Sequence, residues 1–162
     1  MSAAIPDKHG GSTAGRTDVR LWLRLLSCST VIEKRLRRRF ANRFDTTLPR
    51  FDVMAALDRH REGMTMGELS RALLVSNGNV TALVRQLEDK ELVALRTLPN
   101  DRRSQVVTLT EAGIKHFAVL AAAHHEWIGT MLAGVSQDQQ KTLLTLLGAV
   151  KTSIARDRGE DE

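Results

Sequence analysis

Between Met66 and Leu109 the apolar residues change their spacing once, from the period of a helix to that of a strand, and this limits the available folds more than any other feature. Thr65 and Glu68 have the spacing of a capping box, in which each side chain satisfies an orphan backbone donor, and they open the short helix MGELSRALL. After a turn at Leu74 and Val75, Ser76 caps a second helix whose Val80, Leu83, Val84 and Leu87 stand at i, i+3, i+4 and i+7. The segments LVALRTL and SQVVTLT that follow are rich in strand formers, and the charged turn PNDRR between them predicts a hairpin.

Helical periodicity governs the chain on both sides of this region. From Asp18, the residues Trp22, Leu25, Ile32, Leu36 and Phe40 recur on one face of a long first helix, with no Gly or Pro before Pro49. TTLPRFDVMAALDRH supplies a polar break, a Pro near a helix start and an apolar stretch, which predicts another helix. Past the hairpin, Ile114, Phe117, Leu120, His124, Ile128 and Met131 belong to a helix that Gly134 closes. Ser136 and Gln139 then have capping-box spacing before a last helix striped by Leu143, Leu147, Val150 and Ile154. The expectation is a mainly α chain of six helices with a small β hairpin. The first and last helices carry longer apolar stripes than so small a core can cover, which predicts a homodimer. Residues 1–17 are expected to form a disordered tail and residues 156–162 a frayed one.

Composition narrows the function classes. A chain of 162 residues with 42% hydrophobic residues has room for one core, and it shows no Gly-rich phosphate loop, nucleophile elbow or metal-binding signature. An enzyme and a bound cofactor are therefore not expected. One cysteine excludes an internal disulfide framework, and no apolar run reaches the roughly 20 residues of a membrane span, so the simplest location is cytoplasmic. The 24 Lys and Arg against 19 Asp and Glu give a net charge of +5, which suits a polyanionic partner. The surplus is uneven. Residues 1–60 carry 12 basic and 6 acidic groups, whereas residues 61–110 carry 7 and 6.

A short helix, a tight turn, a helix with a polar outer face and a basic-tipped hairpin follow the order of a winged helix-turn-helix. In SNGNVTALVRQLEDKELV the apolar stripe anchors the helix, leaving Ser76, Asn77, Gly78, Asn79, Thr81 and Arg85 for contact with a DNA groove. Asn and Arg read adenine and guanine edges bidentately, Thr meets a thymine methyl or a phosphate, and Gly78 permits close backbone approach. At the hairpin tip, Asp101 can orient Arg102 and Arg103 toward a narrow minor groove or a phosphate.

The run LLVSNGNVTALVRQLEDKELVALRTLPNDRRSQVVTLTEAG resembles the MarR family of bacterial transcriptional regulators, and Asp101, Arg103, Val107, Leu109, Thr110 and Gly113 follow the family's wing pattern in order. The resemblance covers residues 18–155 in element order. It implies dimerisation helices over 18–47 and 110–155 around a winged-helix region over 48–109. It also implies a repressor on a pseudopalindromic double-stranded DNA operator, released by a small anionic or aromatic effector. A winged-helix protein-interaction or dimerisation module without specific DNA binding is the alternative.

The effector side is less determined. EKRLRRRFANRF places six basic residues and one acidic residue between Glu33 and Arg43. Helical rotation puts Arg39 and Arg43 in the arc of Leu25, Ile32 and Leu36, with Arg35 at its edge. Arg35, Arg39 and Arg43 are thus candidates to bind an anionic effector at the mouth of a pocket lined by Trp22, Phe51 and Met54. This helix weakly resembles regulators of aromatic-acid catabolism, which implies an aromatic acid or its CoA thioester. Peroxide-sensing relatives keep a reactive cysteine near the position of Cys28 but pair it with tyrosines, and this chain has none, so Cys28 is expected to be a small buried hydrophobe. His60, His116, His124 and His125 lack the spacing of a metal site and are expected to serve packing or the surface.

Overall fold

The computed structural model describes residues 16–98 and 101–157. Most of the two expected tails lies outside these residues. Six helices and three short strands follow in the order α1 (Thr17–Phe44), α2 (Leu48–Arg59), β1 (Met64–Thr65), α3 (Met66–Leu73), α4 (Asn77–Glu88), β2 (Val93–Leu98), β3 (Asp101–Leu109), α5 (Glu111–Leu132) and α6 (Gln137–Arg156). The chain divides into two compact units, one ending at His125 and the other beginning at Glu126.

In the first unit, α2, α3 and α4 pack on one another and on the sheet. Phe51, Val53, Met54, Leu57, Leu69, Val80, Val84, Leu87 and Val107 supply a buried core, to which α1 adds Leu36 and Phe40. Phe40 and Phe51 lie with ring centroids 4.9 Å apart. The local signals behave as expected. Thr65 and Glu68 exchange both capping-box bonds at the start of α3, as Ser136 and Gln139 do at the start of α6.

The sheet is antiparallel in the order β1-β3-β2, so the expected hairpin gains a third strand. Met64 pairs with Val107 and Thr65 with Val106. At the root of the hairpin, the Thr110 backbone N–H donates to the Leu92 carbonyl at 3.1 Å. Gly113 packs against that same carbonyl, and a Cβ at position 113 would overlap its oxygen. The family-pattern glycine is therefore a close-approach residue joining α5 to the end of the wing.

In the second unit no residue of α6 is buried. Leu143, Leu144, Leu146 and Ile154 are all exposed, although Leu143 and Ile154 belong to the stripe read from the sequence.

Candidate nucleic-acid interface

α4 is built to be anchored on one side and bare on the other. Val80, Val84 and Leu87 are buried and Leu83 is half-buried. At 100° per residue the opposite side runs through Gly78, Ala82, Arg85 and Gln86. All four are exposed, as are Ser76, Asn77 and Asn79. The Ser76 hydroxyl accepts from the Asn79 backbone N–H at 3.4 Å and closes one orphan donor of the first turn. Thr81 departs from expectation: it is half-buried and its hydroxyl donates to the Asn77 carbonyl at 2.9 Å, so that proton is already engaged within the helix.

The turn before α4 is braced from behind. Ser70 donates its hydroxyl to the Val75 carbonyl at 2.5 Å, and the Val75 N–H returns to the Ser70 carbonyl at 3.2 Å. Between them Leu74 ends α3 in the left-handed region at φ 54°, ψ 40°.

Two partners escaped the sequence reading. Arg50, in the first turn of α2, donates its Nε–H to Gln86 Oε1 at 2.9 Å and ties α2 to the outward side of α4. A pair 36 positions apart on two separate helices leaves no periodic trace in a sequence. Arg96 of β2 donates to the Glu62 carbonyl at 3.4 Å and fastens the wing to the loop before β1. Asp101, Arg102 and Arg103 lie on the backbone of β3, while their side chains, and with them the expected contacts of the wing tip, lie outside the described part of the structure.

The structure does not gather the six effector-site candidates around one opening. Met54 is 1% exposed and belongs to the core, so it cannot line a solvent-open pocket, and Trp22 stands 58% exposed on α1. Arg35 and Arg43 are exposed, with the Arg43 guanidinium 5.5 Å from the Phe44 ring centre, while Arg39 is half-buried. Phe51 instead borders a cleft of about 590 Å³ whose other walls include Asp52, Arg59, Phe117, Ala121 and His124. The His124 ring stacks on Phe51 at 4.8 Å, and burial lowers its pKa.

Asp52 lines this cleft and also a smaller one of about 200 Å³ bounded by Glu33, Arg37, Leu73 and Val75. Burial, reinforced by the nearby Glu33 charge and opposed by Arg37 and Arg59, pushes the Asp52 carboxyl up to about 6. Cys28 corrects another expectation: it is exposed on α1, although the neighbouring Ser27 is buried. Among the described residues no three His, Cys, Asp or Glu converge as a metal site, and no helix is long and apolar enough to cross a membrane.

Comparison with known proteins places these features in company. A family model described as the MarR family matches residues 44–104. The chain is similar to the transcriptional activatory protein BadR of Rhodopseudomonas palustris, at 36% identity over 104 residues, covering 63% of this chain and 59% of BadR. It likewise spans about three fifths of the length of two further curated relatives, YdgJ of Bacillus subtilis and BilQ of Clostridium symbiosum. A crystal structure of a MarR family transcriptional regulator from Silicibacter pomeroyi superposes with a TM-score of 0.71 at 32% identity, covering 84% of this chain and 94% of that one. The S. aureus MepR–DNA complex shares the fold with a TM-score of 0.72 at 20% identity, over 86% of this chain and 99% of that one.

Proposed function

The chain belongs to the MarR family, and from that premise we propose that it is a sequence-specific DNA-binding transcriptional regulator acting as a homodimer on a pseudopalindromic operator. The observation that carries this reading is α4: an apolar stripe seated in the core, a capped N-terminus, and Asn77, Gly78, Asn79, Arg85 and Gln86 on its water-facing side. Such a helix presents donors, acceptors and a cation at the width of a major groove.

Dimerisation is supported in each unit separately by apolar surface left in water. Leu21, Trp22 and Val119 are exposed in the first unit, and Leu144 and Ile154 are 71% and 67% exposed in the second.

An aromatic effector suits the cleft, where Phe51, Phe117 and His124 offer ring faces and Arg59 a cation for a carboxylate. For a CoA thioester, Arg35, Arg39 and Arg43 of α1 are the candidate phosphate partners. An aromatic acid seated beside Asp52 favours its protonated form, so binding takes up a proton and weakens as pH rises above about 6. Release from DNA requires that the effector bind the DNA-incompetent arrangement better than the competent one. Where the operator overlaps a promoter, the bound dimer acts as a repressor.

The test is titration of the protein with its own upstream DNA and with random DNA at physiological salt. Specific binding should exceed non-specific binding by about 10³ or more. Equal affinity for both would replace the regulator with a protein-binding winged helix. Arg103→Ala should weaken binding and Arg85→Ala should relax base preference. A uniform loss for Arg85→Ala across all sequences would make Arg85 a phosphate contact. Calorimetry and DNA release with aromatic acids and their CoA thioesters test the effector class.

A further inference from the structure

The bond between Arg50 and Gln86 settles which atoms of Gln86 face outward. A guanidinium has five donors and no acceptor, so its partner in the amide must be the oxygen. The oxygen and nitrogen of a glutamine are ordinarily told apart only through their partners, and here the partner allows one assignment. With Oε1 accepting from Arg50 Nε–H at 2.9 Å, the acceptor is turned toward α2, and the two N–H groups of Nε2 are left on the exposed side of α4.

Arg50 is well placed to hold this arrangement. It lies in the first turn of α2, its backbone N–H bonds to the Thr47 cap hydroxyl at 3.4 Å, and it is itself half-buried. The amide and the guanidinium beside it therefore present donors and positive charge to anything that meets this part of α4.

A free glutamine on a recognition helix suits adenine, because it donates to N7 and accepts from the N6 amino group. A glutamine whose acceptor is held elsewhere, beside a cation, meets the N6 amino group donor to donor. Guanine presents two adjacent acceptors, N7 and O6, on the same groove edge. We propose that Gln86 is a specificity-determining residue that selects guanine over adenine at one symmetry-related pair of operator positions, and that Arg50 is the positioning residue that makes it do so. This rests on the DNA-binding reading above.

The experiment is a measurement of affinity for a set of operators in which each position is changed in turn, for the wild-type protein and four variants. The wild type should prefer guanine to adenine by about tenfold at one symmetric pair of positions. Gln86→Ala should remove that preference and leave the other positions as they were. Arg50→Met keeps an apolar stem but frees the amide, and should move the same pair toward adenine. Arg50→Lys retains a donor-only cation and should keep guanine, while Gln86→Glu removes the outward donors and should lose it. Thermal unfolding of each variant separates these effects from loss of fold.

A uniform weakening of all operators by Gln86→Ala, with a shallower salt dependence, would make Gln86 a phosphate contact and overturn the proposal. So would an Arg50→Met protein with the wild-type preferences. Absence of any specific binding by the wild type would remove the DNA-binding reading itself, an outcome distinct from the other two.

Discussion

Leu74 shows how one side chain can be held against its own preference. It is 92% exposed and in the left-handed region, where an L-residue with a Cβ carries a cost of about 1–2 kcal/mol and glycine almost none. Since it has little packing to lose, Leu74→Gly should raise the unfolding free energy by about 1 kcal/mol in urea titrations. A decrease would mean that the leucine gains more from contacts than it loses to strain.

Asp52 is held in the opposite sense, with its ionised form disfavoured. Its folded pKa of about 6 lies above the unfolded value of 3.8, so below pH 4 both states are protonated and nothing is lost. Between pH 4 and 6 the unfolded chain ionises first and stability falls; above pH 6 the full penalty is present. Asp52→Asn should therefore stabilise the protein at pH 7.5, by on the order of 1 kcal/mol after allowance for solvent screening, and not at pH 3.5. Denaturant melts at the two pH values check this, and an equal gain at both would show that charge is not the cause.

At the scale of elements, α3 depends on its first turn. Eight residues are too few for a helix to persist on propensity alone, and Leu69 is its one buried side chain. Thr65→Ala should cost about 1 kcal/mol in equilibrium unfolding, whereas Thr65→Ser should cost far less because a hydroxyl remains to accept from Glu68. Equal losses would place the role of Thr65 in its methyl group.

This is also the scale at which the sequence was most legible. Thr65 with Glu68, Ser76, and Ser136 with Gln139 announced their helix starts because caps act over three residues, and the stripe of α4 announced its buried side because helical geometry repeats. β1 was not legible, since two residues carry no period and exist as a strand only through β3. The assignment of Met54 to a pocket failed for a related reason: periodicity gives the apolar face of a helix but not the depth at which each residue lies. Arg50 and Gln86 were invisible because their meeting depends on how α2 crosses α4.

For the whole molecule, the first 60 residues hold most of the excess positive charge, and the polar outer face of α4 belongs to a nearly neutral segment. Recognition must therefore come from the placement of groups more than from their number. The second unit carries the strongest demand for a partner, because α6 buries no side chain. Leu143→Glu combined with Ile154→Glu should leave the winged-helix unit folded by circular dichroism, shift sedimentation toward the monomer, and reduce binding to a two-half-site operator to that of a single half-site. A dimer that survives both charges would place the interface elsewhere.

Thr65 contributes its backbone to the sheet opposite Val106 and its side chain to the cap of α3. One residue thereby gears the base of the wing to the helix that supports α4. The wing root cannot swing without straining that cap, so part of the ordering entropy is spent during folding and not at the moment of DNA contact. In hydrogen exchange the amides of Thr65, Glu68 and Val106 should open as a unit, with one common free energy.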